Sequence, residues 1–378
     1  MAVNPEFIYF QMNFFEEIRN ILNRHHLRLQ FRSIRDTSNP FELPNEKFIK
    51  LFRLNKTATL ELIQDLEMFV NEPTRKDKVP FHLQVFASLL FYSQGGYQTT
   101  VGEDYNLGIS QPMISRILNK ISNLISVHLL PRYIKFPTTA NEVINVKEGF
   151  LNKGFLFPNV IGTIDCTHIA IVSPKIDHPV TPAVAYLNRK GFHSINVQAI
   201  FDSNLMILNV NARYPGAVHD AAIWEASSIH RYCRRRYQEG IRNNYLLGDS
   251  GYPIQPWLMT PILDAPPNTP QAVYNDRHIR TRNVVERGFG VWKARFRCLR
   301  KDRVLHYSHA TAGRIIYACA VLHNICRKYN IQNELDANMN DDEDGNDNYI
   351  NANDNVNDDI LTEGRFIRGQ IVNQMVLN

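Results

Sequence analysis

Residues 159–172 read NVIGTIDCTHIAIV, and they constrain the fold of this 378-residue chain more than any other stretch. The run Val160, Ile161, Gly162, Thr163, Ile164 is short, apolar and rich in β-branched side chains, which suits a strand buried on both faces. It ends in a carboxylate, Asp165, where a core strand is expected to close on an apolar residue or a turn. Removing that charge from water is costly unless it is paired or binds a metal. An aspartate capping a turn or pairing with an arginine is the plainer alternative.

A second buried run, YLLG at 245–248, ends the same way, in Asp249, 84 residues after Asp165. Glu286 lies a further 37 residues on, in a helix predicted over 281–297 among Val285, Phe289, Val291 and Trp292. If the two strands are neighbours, their ends bring both aspartates together, and the helix can pack with Glu286 facing them. Three carboxylates that close raise one another's pKa unless a cation sits between them. Oxygen-only donors favour Mg²⁺ or Mn²⁺ over a thiolate-rich zinc site. Two such ions, about 3.5–4 Å apart, activate a water or a 3′-hydroxyl for in-line phosphoryl displacement. Asp220, at the start of a short helix predicted from His219 to Ser227, is a fourth candidate, with a helix cap as its alternative. Glu286 has its own alternative, an ordinary helix pairing with Arg282 or Lys293.

Around these acids the chain divides by pattern. Residues 1–45 form an N-terminal extension with a helix, and 46–130 a helical domain with apolar residues at helical spacing. Within it, a short helix at 99–105, a turn at 106–108 and a helix capped by Ser110, with Pro112 in its first turn, fit helix-turn-helix geometry. The second helix would bury Ile114, Ile117, Leu118, Ile121 and Leu124. Gln111, Ser115, Arg116 and Lys120 would then face DNA, or simply solvent in an amphipathic hairpin. Residues 131–158 are expected as a linker. The region 159–329 alternates strands and helices, with a hairpin of 194–202 and 206–212 turned by Asp202, Ser203 and Asn204. Residues 330–378 form an acidic tail: from 330 to 359 the composition collapses to Asn and Asp and predicts disorder, while 360–378 is expected to carry a short helix.

Charge follows the same division. Residues 329–378 carry eleven acidic and two basic side chains, so the formal charge of +5 conceals a body of net +14. Such an excess suits a polyanion, and DNA is the expected partner. Phosphate contacts are expected from Arg189 and Lys190 in a turn. Lys293 and Arg295, which open the basic run after Glu286, are expected to do the same. Five scattered cysteines without CxxC spacing predict a reducing compartment, and no run approaches a membrane span of about 18 apolar residues. Cys319, His323 and Cys326 share one apolar helix face and read as core rather than zinc ligands. No GxxxxGK[ST] or GxSxG pattern occurs, which speaks against nucleotide hydrolysis and a serine hydrolase.

The blocks GTIDCTHIAI, YLNRKGFHSINVQAIFD, PGAVHDAAIW, LLGDSGYPIQPWLMTP, YN..H...R.VVERGFGVWKARFRCL and CAVLHNIC, in this order, resemble the Harbinger-type DDE transposases, above all their domesticated nuclease branch. The resemblance runs from about residue 95 to 327. It implies an α/β fold with a ribonuclease H-like mixed-sheet core behind the helix-turn-helix-like domain. By position, Asp165, Asp249 and Glu286 become the catalytic triad, and Asp220 joins them as a metal ligand. The resemblance also implies a divalent cation, a Myb/SANT-like DNA-binding partner protein and a place in the nucleus, with the cytoplasm open. A homo-oligomer is compatible with it. A rival of another class keeps the fold without the chemistry: a catalytically silent DNA-binding or adaptor protein. If the acidic tail screens the basic body, deleting residues 330–378 raises nonspecific DNA affinity at low salt, measured by fluorescence anisotropy; an unchanged affinity discards the screen.

Overall fold

The computed structural model describes residues 5–37, 39–70, 79–95, 109–176, 182–331 and 358–377. The chain opens with α1 (Pro5–Thr37), followed by α2 (Asn45–Phe52), α3 (Lys56–Glu67), α4 (Phe81–Gln94) and α5 (Gln111–Leu124). Asn55, not Thr57, caps α3, its side chain accepting from the Ala58 amide at 2.8 Å. Gly95 ends α4 in the left-handed region, as its lack of a side chain allows. The predicted apolar stripe of α5 is buried, while the first helix and turn of the expected helix-turn-helix, 99–108, lie outside the described residues.

The expected linker carries a helix instead, α6 (Ala140–Asn152). A capping box drives it: Thr139 Oγ1 accepts from the Glu142 amide at 3.3 Å, and the Glu142 carboxylate accepts from the Thr139 amide at 3.0 Å. These bonds hold the Glu142 carboxyl down at about 2. α6 packs against the first strand.

Five strands make one mixed sheet in the order β3-β2-β1-β4-β5: β1 (Val160–Ala170), β2 (Ser194–Phe201), β3 (Ile207–Pro215), β4 (Tyr245–Leu247) and β5 (Leu258–Met259). β1, β2 and β3 are antiparallel neighbours, the last two joined by the predicted hairpin, while β4 and β5 run parallel to β1. The sequence predicts a strand ending at Asp165. The strand in fact continues to Ala170, because Asp165 to Ala170 pair residue by residue with Ala199 to Ser194. Asp165 is thus a charge in the middle of the central strand.

Two layers of helix cover the sheet. Ile164, Ile200 and Leu246 pack with Trp224, on α7 (Asp220–Ala226), and with Ile229 and Cys233, on α8 (Ser228–Gln238). Val197, Phe201 and Leu247 face the main core, beneath α9 (Pro270–Arg295) and α10 (His309–Lys328). The short helix expected over 360–378 is α11 (Asp358–Leu377), which buries Leu361, Ile371, Val372 and Met375 and packs on α9 and β5. Its apolar spacing outweighs the acidic composition just before it. No helix among the described residues is long and apolar enough to cross a membrane.

Gly288 sets how closely α9 approaches the sheet: a Cβ there would lie 2.7 Å from the Phe201 ring. Gly288→Val is therefore expected to cost about 1–3 kcal/mol by overpacking. Gly288→Ala should cost less, because a helix-propensity gain of about 1 kcal/mol offsets part of the clash. Urea denaturation midpoints measure both; a Gly288→Val protein as stable as the wild type contradicts this packing.

Candidate active site

Parallel pairing of β1 with β4 puts Thr163 opposite Leu247, so Asp165 and Asp249 each follow two residues later at the same place on the sheet. Asp165 is held from two directions. Its Oδ1 accepts from the Cys166 amide at 2.8 Å, and its Oδ2 accepts from Arg282 Nη1 at 3.0 Å. Arg282 stands on α9, and its other terminal nitrogen donates to Glu286, one turn along the same helix. One guanidinium thus bridges two of the three predicted acids. Asp165 and Arg282 keep only 18% of their side-chain surface exposed, against 47% for Glu286. Asp249 closes a tight turn after β4, its Oδ1 accepting from the Gly251 amide at 3.0 Å.

Asp220 is the first residue of α7, and its role as a cap is excluded: His219 is the N-cap residue and no side chain caps the helix. Its Oδ1 accepts instead from Asn196 Nδ2 at 2.8 Å, while the same nitrogen donates to the Val218 carbonyl at 2.9 Å. Asn196 is buried in β2, so a sheet residue aims this carboxylate. Cys166 Sγ lies 3.4 Å from the Tyr252 hydroxyl.

The electrostatics show the four acids as one field. Burial lifts the Asp165 pKa well above the usual carboxylate range, the Asp249 charge adds to this, Arg282 opposes it, and Asp220 adds again. Burial acts to lower the Arg282 pKa, but the charges of Asp165, Glu286 and Asp249 outweigh it and raise the pKa overall. Burial, then Asp220, push the Cys166 thiol well up, which leaves it protonated and unreactive.

Asp165, Asp220, Asp249 and Glu286 therefore share one neighbourhood. With Arg282 between Asp165 and Glu286, no three Asp, Glu, His or Cys side chains among the described residues gather closely enough to hold a metal ion. The donor chemistry fits a hard divalent cation, since the donors are carboxylate oxygens and they already draw in a positive group. Arginine's place within the site was not foreseen beyond a pairing with Glu286. Its sequence signals were the R-x-x-x-E spacing at 282–286 and its place in the block that resembles the family.

The other predicted contacts divide. Arg189 is exposed and donates to His219 Nδ1, beside Asp220, and Lys190 is exposed next to it. Gln111 and Arg116 are exposed, and Ser115 is half-buried. Lys120 is half-buried and spent on its own domain, donating to Gln84 Oε1 at 3.0 Å over the Phe81 ring. Lys293 is half-buried. Arg295 is fully buried and donates to the Ile331 carbonyl at 3.0 Å, so it cannot meet a phosphate. Further along the same basic run, past the end of α9, Arg300, Lys301 and Arg303 are exposed. Cys319, His323 and Cys326 are core, as expected, with His323 donating to the Leu205 carbonyl at 2.7 Å.

A mixed sheet flanked by helices suits a DDE superfamily endonuclease, and the family of that description matches residues 164–324. The chain is 31% identical over 287 residues to the human protein named "Putative nuclease HARBI1", covering 75% of this chain and 78% of that one. It belongs to the same Harbinger transposase-derived family. The Xenopus laevis protein of that name is 30% identical over 277 residues, covering 73% of this chain and 75% of its own. The Arabidopsis thaliana "Protein ALP1-like" is 25% identical over 256 residues, 64% of this chain and 59% of that one. No solved structure matches the chain.

An acid whose folded pKa lies above its unfolded value of about 4 contributes stability while protonated and loses it as pH rises through the folded pKa. In metal-free protein, the stability of the wild type relative to Asp165→Asn is therefore expected to fall as pH rises from about 4 and to level off above the raised Asp165 pKa. Urea titrations at stepped pH measure the difference; a difference that stays constant with pH contradicts the raised pKa.

Proposed function

We propose that this protein is a divalent-metal-dependent nuclease that cleaves DNA phosphodiester bonds by in-line displacement. The observation that carries the proposal is the Arg282 bridge between Asp165 of β1 and Glu286 of α9, with the charges of Asp249, just after β4, and Asp220, on α7, acting on Asp165 from nearby. The strand order, with three antiparallel strands and two parallel ones added on the β1 side, supports a ribonuclease H-like core. Asp165, Asp249 and Glu286 would hold the metal, with Asp220 as the fourth ligand. Two bound Mg²⁺ or Mn²⁺ ions supply a lowered pKa for the attacking water and charge stabilisation for the displaced oxygen.

The chain's own residues prepare this site. The amides of Cys166 and Gly251 fix one oxygen each of Asp165 and Asp249, and Asn196 fixes Asp220. Arg189 and Lys190 beside His219 are placed to hold the phosphate backbone, as a positioning rather than a sequence-reading contact. On the described part of the α5 face, Gln111 and Arg116 remain exposed while Lys120 is engaged internally. The family reading brings with it a Myb/SANT-like partner for sequence recognition and a place in the nucleus.

One observation favours a second reading, that of a catalytically silent DNA-binding or adaptor protein: Arg282 already neutralises part of the acid site. Plasmid cleavage separates the two. Mn²⁺-dependent nicking is expected from the wild type, is expected to vanish with EDTA, and is expected to fall by about 10²-fold or more in Asp165→Ala, as when a charge-stabilising group is removed. Salt-sensitive, metal-independent binding without any cleavage establishes the silent reading instead.

A further inference from the structure

Resting on the nuclease reading above, we infer that Arg282 is a built-in counter-cation: it occupies the acid site in metal-free protein and has to leave Asp165 before the site takes its metal. Arg282 is the one cation that the described contacts place between two of the acids, bonding Asp165 Oδ2 and Glu286 at the same time. A divalent ion ligated by Asp165 and Glu286 needs the same oxygens that the guanidinium now holds. Carboxylate lone pairs that accept from an arginine fork are turned towards it. A +1 group sharing an oxygen with a +2 ion is repelled by it.

The protein gains from this arrangement when no metal is present. Asp165 sits mid-strand with Asp249 and Asp220 near it, and without a cation these charges would repel across a half-buried sheet. The position of Arg282 on α9 suits a temporary occupant. It is an arginine on a helix, reaching its acids through a long side chain, and part of it remains exposed to water. The same helix carries Glu286 four residues on, so the arginine can let go of Asp165 while keeping Glu286, or let go of both, without any movement of the backbone. Arg282 is in this account a positioning residue: it holds the carboxylates apart and ready, and it sets how readily they accept an ion.

Affinity for the metal alone tests this without activity. Full-length protein is titrated with Mn²⁺ by calorimetry, and the thermal midpoint is recorded with and without Mn²⁺. Arg282→Gln is expected to bind Mn²⁺ about tenfold more tightly than the wild type, the effect of removing one competing charged hydrogen bond. Its metal-free form is expected to melt lower than the wild type, with Mn²⁺ restoring the loss. Arg282→Lys, which keeps the charge but cannot fork across two acids, is expected to fall between them, and it serves as the measurement if Arg282→Gln does not fold. Mn²⁺ binding that is equal to or weaker than wild type in the folded variants overturns the counter-cation and leaves the nuclease reading standing. Absence of Mn²⁺ binding in wild type and variants alike overturns both.

Discussion

A carboxylate in the middle of a central β-strand is the constraint from which the rest of this molecule follows. At an effective dielectric of about 20, an ion pair such as that of Asp165 with Arg282 is worth about 4 kcal/mol at 4 Å before either ion's loss of hydration is counted. That is not enough here. The Asp165 pKa stays well above the carboxylate range despite the arginine, because burial and the neighbouring aspartates outweigh it. A site that remains short of positive charge after its own arginine has been used is one that draws in more. The strands on either side hold Asp165 in place through backbone pairing, β2 antiparallel and β4 parallel to β1.

Helix α9 delivers the positive charge with unusual exactness of phase, and four successive turns show how. The Tyr274 hydroxyl donates to the Thr260 carbonyl at 3.0 Å, and His278 Nε2 donates to the Met259 carbonyl at 3.0 Å. Arg282 and Glu286 follow at the same four-residue step and meet the acids. The first two turns bolt the helix to the end of β5, and the next two use that fixed phase. His278 is suited to the bolt: burial pushes its pKa down to about 4, so it remains a neutral donor at physiological pH. Close approach at Gly288 against Phe201 holds the far side.

The parts of this arrangement that were legible in the sequence are those with a local signature. Two apolar runs ending in acids, the hairpin with its Asp202 turn and the α10 stripe each have a period or a turn residue that fixes them. The remainder depends on pairing. β5 is two residues long, too short for any alternation to register. β1 looked finished at Asp165 because only the antiparallel partner β2 makes a charged position a strand interior. α6 had its capping box in view, but its polar composition resembled a linker. Arg295 was misjudged for the same kind of reason: a basic residue reads as exposed until a second layer of helices is known to cover it. Arg282 was the most consequential case, since only the fold brings its second partner, 117 positions away, into reach.

The helical region and the sheet were expected as separate domains, and their packing argues for a single unit. Buried residues of α2 to α5 belong to the same continuous core as those of β1, α9 and α10. Polar contacts stitch the seam: Cys326 Sγ to the Arg53 carbonyl at 3.3 Å, and Arg314 Nη2 to Asn119 Oδ1 at 2.9 Å. At Gly95 the approach is so close that a Cβ would lie 2.8 Å from the Cys298 amide nitrogen. Ile315, Ile316, Cys319 and Leu322 of α10 are fully buried in this shared core. α10 packs on α5, so detaching α5 would give apolar surface of α10 to water at about 25 cal/mol per Å². α10 in turn packs on α9, the helix that phases Arg282 and Glu286 against Asp165. The helices before residue 130 are therefore a wall of the unit that carries the acid site, and the geometry of that site depends on them although none of the four acids comes from there.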